Sequence, residues 1–162
     1  MLKLVKTVHF IGVAMFVGSI FAHIAAGMAP EVTTNPAAML FARQTIATAT
    51  LYVTLPGLAI AAVSGLFMTI YGKFGFFRRR WLTLHQLAAL VIAANALVML
   101  VPIGRNAVTT SAAAAIAAGS GTAGALAALM AREHAFGAVN IVLAFAAIFL
   151  AAGKPNLGQP SR

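Results

Sequence analysis

The sequence predicts an all-α membrane protein, a bundle of four transmembrane helices with both termini on the cytoplasmic side. Of its 162 residues, 62% are hydrophobic and only 8% are charged. The mean hydropathy of +0.97 is far from the balance of a soluble domain. Four apolar stretches are long enough to cross a hydrocarbon core, which takes about 20 helical residues. They cover residues 5–29, 45–71, 82–103 and 134–152.

The first stretch follows the basic start MLKLVK, a pattern that secretory signal peptides share. Its apolar run is longer than the apolar region of a signal peptide, and Pro30 follows the candidate cleavage sequence AAGMA. We therefore expect this stretch to remain as the first transmembrane helix.

The basic residues are divided unequally between the two sides of the predicted bundle. With the N-terminus inside, eight fall on one side, namely Lys3, Lys6, Lys73, Arg78, Arg79, Arg80, Lys154 and Arg162, and three on the other, namely Arg43, Arg105 and Arg132. This is the positive-inside pattern of a multi-pass protein, expected here in a bacterial cytoplasmic membrane. The net charge of +9 then indicates contact with anionic lipid headgroups and not with nucleic acid.

The connections suggest a single domain over residues 1–162. GKFGFFRRRW is a short cytoplasmic turn between the second and third spans. The outer connection, residues 104–133, is rich in alanine, which favours a short outer helix. Its GSGTAG sequence should break that helix, so the fourth helix is expected to begin near Gly124, before the membrane boundary. In the second span, Pro56 should kink the helix.

All four histidines of the chain fall within predicted spans, and an ionisable side chain inside a membrane is by default functional. His9 and His23 lie 14 residues apart, which puts them on one face of the first helix and about 21 Å apart along its axis. Measured from the basic residues that flank the spans, His85 matches the depth of His9, and His134 matches the depth of His23. The sequence therefore predicts an inner pair, His9 with His85, and an outer pair, His23 with His134.

Two stacked histidine pairs in a four-helix bundle are suited to two haems, each with two axial histidine ligands. This arrangement resembles the small bacterial four-helix membrane cytochromes b, including the superoxide-oxidase type and the cytochrome b subunits of periplasmic dehydrogenases. The resemblance lies in the four spans, the histidine pair near each face and the arginines at both rims. KTVHFIGVAMFVGSIF is also similar to the first helix of HemJ-like protoporphyrinogen oxidases and of CopD-like proteins.

The resemblance implies two noncovalent haem b groups and transmembrane electron transfer, and without cysteine the chain excludes covalent c-type attachment. Haem propionates would face the rims, where the inner ones could pair with Arg78, Arg79 or Arg80 and the outer ones with Arg43, Arg105 or Arg132. Quinone is the expected lipid-soluble partner, with Gln44, Tyr52, Gln86 and Asn140 as polar candidates for its site. At the electropositive outer rim the partner would be superoxide or a periplasmic redox protein.

Three other interpretations stay open at the level of sequence. A single-haem HemJ-like oxidase would need only one histidine pair. Copper or other metal handling would use histidine and methionine, but the seven methionines form no clustered motif. A proton relay through the intramembrane histidines would normally also need intramembrane carboxylates, and both acids of this chain, Glu31 and Glu133, are placed at the outer rim.

Overall fold

The computed structural model describes residues 2–28, 35–72, 79–116 and 121–157, and nearly all of these residues are helical. Four helices are long and apolar enough to cross a membrane: α1 (Leu2–Gly27), α2 (Pro36–Tyr71), α3 (Arg80–Ile116) and α4 (Gly121–Gly153). The expected all-α, four-helix membrane architecture is confirmed. We call the end that carries the start of α1 and the end of α4 the inner end, and the opposite end the outer end.

Three of the helices extend beyond the predicted spans at their outer ends. Helix α2 begins at Pro36, nine residues earlier than predicted, because the Asn35 side chain accepts a hydrogen bond from the Ala37 amide at 2.9 Å and caps the helix. Helix α3 continues to Ile116, and α4 already begins at Gly121. Most of the predicted outer connection is therefore helical extension of α3 and α4, as its alanine content favours.

Helices α2 and α3 share an irregularity near their middles. Each contains one π-helical turn, Thr50–Thr54 in α2 and Ala96–Leu100 in α3. A proline follows each turn after one residue, Pro56 and Pro102. Proline has no amide hydrogen and clashes with the carbonyl four residues earlier, and the wider π turn relieves both problems. The expected disturbance at Pro56 is thus a π turn, and α3 repeats it.

The helices pack as two pairs that join at the outer end. Helix α1 packs along α2, and α3 packs along α4, while the outer halves of α2 and α3 pack against each other. Contacts between α1 and α4 are sparse. Phe16, Ile92 and Ala144 form a buried apolar cluster at mid-depth, and large apolar side chains such as Phe149 face outward as expected toward lipid. The inner halves of the two pairs therefore meet through few contacts.

Glycines allow α1 and α2 to approach closely beside His9. A Cβ atom added at Gly12 would lie 2.6 Å from the Ala61 amide nitrogen and 2.8 Å from the Gly57 carbonyl oxygen. A Cβ added at Gly57 would lie 2.8 Å from the Phe16 amide nitrogen. These contacts are with backbone, which cannot rotate away, so neither position has room for a side chain. The crossing is a membrane helix contact through small residues.

We expect Gly12→Ala to weaken the α1–α2 contact and to cost about 1–3 kcal/mol of stability, the usual penalty of overpacking. Gly18→Ala is the matched control on the same helix, because a Cβ there would have no atom within 4 Å. Unfolding of the detergent-solubilised protein by increasing sodium dodecyl sulfate, followed by circular dichroism, measures the difference. Equal stability of the two variants would show that a side chain at position 12 does not disturb the contact between α1 and α2.

Candidate functional site

The inner histidine pair predicted from sequence is brought together by the fold. His9 on α1 and His85 on α3 lie across the junction of the two helix pairs, with ring centroids 6.4 Å apart and ring planes inclined at 56°. Both side chains are half-buried. His9 shares its face with the buried Gly12 and Phe16, and His85 lies seven residues from the buried Ile92, so both rings belong to the packed stripe of their helices.

Each ring of the inner pair is held by a backbone carbonyl of the neighbouring helix. His9 Nδ1 lies 2.8 Å from the Ala61 carbonyl oxygen of α2, and His85 Nδ1 lies 2.9 Å from the Ala147 carbonyl oxygen of α4. A carbonyl oxygen only accepts, so Nδ1 must carry the hydrogen in both rings. In the neutral imidazole this leaves a lone pair on each Nε2. The two rings are therefore oriented and set in the tautomer that ligates metal through Nε2.

The separation of the two rings suits a metal ion bound between them. Metal to imidazole nitrogen distances are about 2.0–2.1 Å, and the atoms of a five-membered ring with bonds of about 1.35 Å lie about 1.1 Å from its centre. Two opposed Nε2 ligands on one metal thus give ring centroids about 6.3 Å apart. The observed 6.4 Å agrees with this value.

Gly65 and Gln86 lie next to the inner pair. A Cβ at position 65 would lie 3.2 Å from His9 Cε1, so Gly65 lets the His9 ring pack closely against α2. Gln86 donates a hydrogen bond of 3.0 Å to the Thr69 hydroxyl across the junction of α2 and α3, toward the inner end. Within the described ranges, no group of three or more histidine, aspartate, glutamate or cysteine side chains is placed to hold a metal. A pair of histidines suffices for haem iron, because the macrocycle supplies the other four ligands.

The outer histidines are arranged differently. His23 is half-buried on the same face of α1 as His9, but His134 is exposed. No hydrogen bond or ring contact joins His134 to His23 among the residues that the structure describes. The packed face of α4 carries Glu133, Asn140 and Ala144, and His134 is turned about 100° away from Glu133 around the helix axis. The predicted membrane depth of His134 matched that of His23, but His134 lies on the exposed side of α4 and not on the side that packs in the bundle.

A buried charged cluster lies where the outer pair was expected. The Arg43 side chain on α2 is only 3% exposed and forms an ion pair with Glu133 on α4, which is 20% exposed. His23 on α1 lies close enough to Glu133 to feel its charge. We call His23, Arg43 and Glu133 the outer cluster. Its ion pair joins α2 to α4, and His23 lies beside that pair on α1.

Two atoms of the outer cluster lack a partner. His23 Nε2 and Arg43 Nε are the buried side-chain nitrogens that have no hydrogen-bond partner within the described part of the chain. Burying a polar group without a partner is costly, so such groups in a native protein indicate a missing partner. An imidazole nitrogen with a lone pair can bind metal, and a guanidinium N–H can bind a carboxylate.

The other predicted site residues lie at the two rims. Arg105 and Arg132 are exposed at the outer end. Arg79 and Arg80 are exposed at the inner end, where Arg80 donates a hydrogen bond of 2.8 Å to the Leu157 carbonyl oxygen beyond α4. Arg78 lies outside the described residues. Among the arginines expected at the outer rim, Arg43 is thus the one that the fold buries.

Two features of the site escaped the sequence interpretation. Glu133 was placed at the rim, although it lies seven residues before Asn140 and so shares its helix face. Asn95 on α3 was passed over, but its amide donates hydrogen bonds to Asn140 Oδ1 at 2.7 Å and to the Phe136 carbonyl oxygen at 2.9 Å. A polar residue at mid-span was the available signal for Asn95.

Comparison with known protein families identifies the family of this chain. A family model described as a predicted integral membrane protein, DUF2269, matches residues 3–155. The chain belongs to this family. Membership in DUF2269 agrees with the four membrane-length helices and shows an integral membrane protein. No match to the chain is found among curated proteins or among solved structures.

Proposed function

We propose that the protein is a b-type membrane cytochrome, in which His9 and His85 ligate a haem in the inner half of the bundle and which passes electrons through the membrane. The observation that carries this proposal is the inner pair, with rings 6.4 Å apart. Each Nδ1 is tied to a carbonyl of the neighbouring helix. Haem supplies reversible one-electron chemistry at its iron when it is bound.

The residues around the inner pair have separate tasks in this proposal. The carbonyl oxygens of Ala61 and Ala147 hold the tautomer and fix the direction of each ring. Hydrogen bonds of this type also raise the basicity of the ligating nitrogen. The apolar cluster of Phe16, Ile92 and Ala144 lies between the inner pair and the outer cluster. At the inner rim, Arg79 and Arg80 are exposed cations that could pair with propionates.

A second haem in the outer half stays a prediction of the sequence. It is supported by the two unpartnered nitrogens, because His23 Nε2 would meet iron and Arg43 Nε would meet a propionate. His134, its second predicted ligand, is exposed. One joined pair is also what a single-haem HemJ-like oxidase would use, so the haem count decides between these alternatives.

The remaining parts of the proposal concern location and partners. The basic inner end favours a bacterial cytoplasmic membrane with both termini inside. Quinone is the proposed lipid-soluble partner, and superoxide or a periplasmic redox protein is the proposed partner at the outer end. The exposed Arg105 and Arg132 give that end a positive charge that attracts anions.

The test is the haem content of the protein purified in detergent from cells supplied with a haem precursor. We expect a pyridine haemochrome assay to give at least one haem b per chain, with a low-spin reduced-minus-oxidised spectrum. Two haems per chain would extend the proposal to the outer half. A colourless preparation that also fails to bind added hemin would refute it, and metal analysis would then test the copper alternative.

A further inference from the structure

The two histidines of the inner pair belong to different packed units of the bundle. Helix α1 packs chiefly along the inner half of α2, Leu55–Tyr71. Helix α4 packs along both halves of α3 and so holds α3 together across its π turn. The outer half of α2, Pro36–Ala49, packs on the outer half of α3, and the ion pair of Arg43 with Glu133 ties it to α4. We call α1 with the inner half of α2 the arm, and the outer half of α2 with α3 and α4 the body.

The hydrogen bonds that orient the inner histidines stay within these two units. His9 is bonded to the Ala61 carbonyl oxygen, and its Nδ1 also lies 3.2 Å from the Ser64 hydroxyl oxygen, all within the arm. His85 is bonded to the Ala147 carbonyl oxygen, and both lie in the body. Each ring would therefore keep its orientation if the arm moved relative to the body, while the distance between the rings would change.

The junction between arm and body is thin in the inner half of the bundle. Contacts between α1 and α4 are sparse, and the inner halves of α2 and α3 also meet through few contacts. Near the inner end, Gln86 of the body donates a hydrogen bond of 3.0 Å to the Thr69 hydroxyl of the arm. The apolar cluster of Phe16, Ile92 and Ala144 joins the two units at mid-depth. A junction with few buried apolar contacts costs little free energy to open.

The π turn Thr50–Thr54 connects the arm to the body at a point suited to bending. Helices kink at prolines and at π turns, and Pro56 follows this turn. The hydroxyls of Thr50 and Thr54 donate to backbone carbonyls about one turn earlier, at 2.8 Å and 3.3 Å. Such hydroxyls satisfy carbonyls that an irregular membrane helix leaves without an amide partner. The π turn of α3, Ala96–Leu100, contains no hydroxyl, and α4 packs beside it.

We propose that the arm swings on the π turn Thr50–Thr54, which moves His9 away from His85 and admits the group that the two histidines bind. Residues 72–79 link α2 to α3 at the inner end, so the edge that opens is the one between α1 and α4. The inner half of α2 has 17 residues and is about 25 Å long. A change of about 10° at the π turn therefore displaces its inner end by about 4 Å. The identity of the bound group rests on the proposed function, but the motion does not.

The test is the distance between two spin labels on introduced cysteines, measured by double electron–electron resonance in lipid nanodiscs. The chain itself contains no cysteine. Leu4→Cys with Phe149→Cys reports arm against body, because these residues are 68% and 71% exposed near the inner ends of α1 and α4. Leu4→Cys with Tyr71→Cys is the control within the arm, and Leu84→Cys with Phe149→Cys is the control within the body. All three pairs are placed in His85→Ala, because a group ligated by both rings would hold the arm closed.

We expect two distances for the Leu4 and Phe149 labels, the second longer by about 4 Å or more, and a single distance for each control pair. Thr69→Val should raise the population of the longer distance about fivefold, because opening then no longer breaks the hydrogen bond from Gln86. Thr83→Val is the matched control. Its hydroxyl donates within α3, to the Arg79 carbonyl oxygen at 3.2 Å, so the populations should not change.

Three results would overturn the inference. The first is a single distance for the Leu4 and Phe149 labels even with Thr69→Val present. The second is an equal broadening in both control pairs, which would show that the whole bundle loosens and that no hinge exists. The third is a Thr69→Val variant that matches Thr83→Val. Failure of the proposed function is seen separately: a protein that binds no haem should show both distances without the His85→Ala change.

Discussion

Replacing either histidine of the inner pair should abolish binding of the haem that we propose for the inner half. We expect His9→Ala and His85→Ala each to lower haem affinity by well over tenfold, because each removes a ligand, and loss of a second-shell partner alone costs about 10–100-fold. Haem that remains should lose its low-spin, six-coordinate spectrum. The pyridine haemochrome assay and the visible spectrum of the purified variants measure both effects.

The control for this prediction is His134→Ala. His134 is exposed and makes no described contact with the inner pair, so the variant should keep the inner haem. Circular dichroism and size-exclusion profiles matching those of the unchanged protein would show that the variants fold. Low-spin haem at full occupancy in both His9→Ala and His85→Ala would exclude the pair as its ligands.

The inner pair could be predicted from sequence because depth and face agreed there. His9 lies near the first lysines, and His85 lies near the arginines that open α3, so the positive-inside pattern gave them equal depths. Both also fall on the packed stripe of their helices, seven residues from Phe16 and Ile92 respectively. The hydrogen bonds to Ala61 and Ala147 could not be predicted, because any residue offers a backbone carbonyl and sequence does not show which one a ring meets.

The outer end was predicted less well, for two physical reasons. Depth was compared there without the helix face, and on α4 the buried stripe carries Glu133 in place of its neighbour His134. Hydropathy also underestimated the lengths of the helices. Asn35 caps α2 before its most apolar part begins, and alanine extends α3 and α4 beyond theirs. The burial of Arg43 was not predicted for both of these reasons. Arg43 lies outside the span predicted for α2, and it pairs with a residue that was expected at the rim.

Breaking the ion pair of the outer cluster should destabilise the fold strongly. Arg43→Gln leaves Glu133 without its cation, and Glu133→Gln leaves Arg43, only 3% exposed, without its anion. Removing one partner of a buried ion pair costs about 3–5 kcal/mol, and replacing both by apolar groups costs much less. We therefore expect the double variant Arg43→Met with Glu133→Leu to be more stable than either single variant. Unfolding in sodium dodecyl sulfate gives the stabilities of the unchanged protein, the two single variants and the double variant.

Arg132→Ala is the control, because Arg132 adjoins Glu133 on α4 but is exposed, and exposed changes usually stay within about 0.5 kcal/mol. Single variants no less stable than Arg132→Ala would contradict a buried ion pair.

Arg43→Lys separates the two tasks that Arg43 can have. Lysine keeps the positive charge opposite Glu133, but its single ammonium cannot also replace the guanidinium Nε–H, which has no partner in the described chain. If the ion pair is the whole role of Arg43, then Arg43→Lys should recover most of the stability lost in Arg43→Gln, and the haem count should not change. If Nε holds a propionate in the outer half, stability should recover while the haem count falls by one. The first result would limit the role of Arg43 to the ion pair that holds α2 against α4. The second would assign Arg43 to an outer haem.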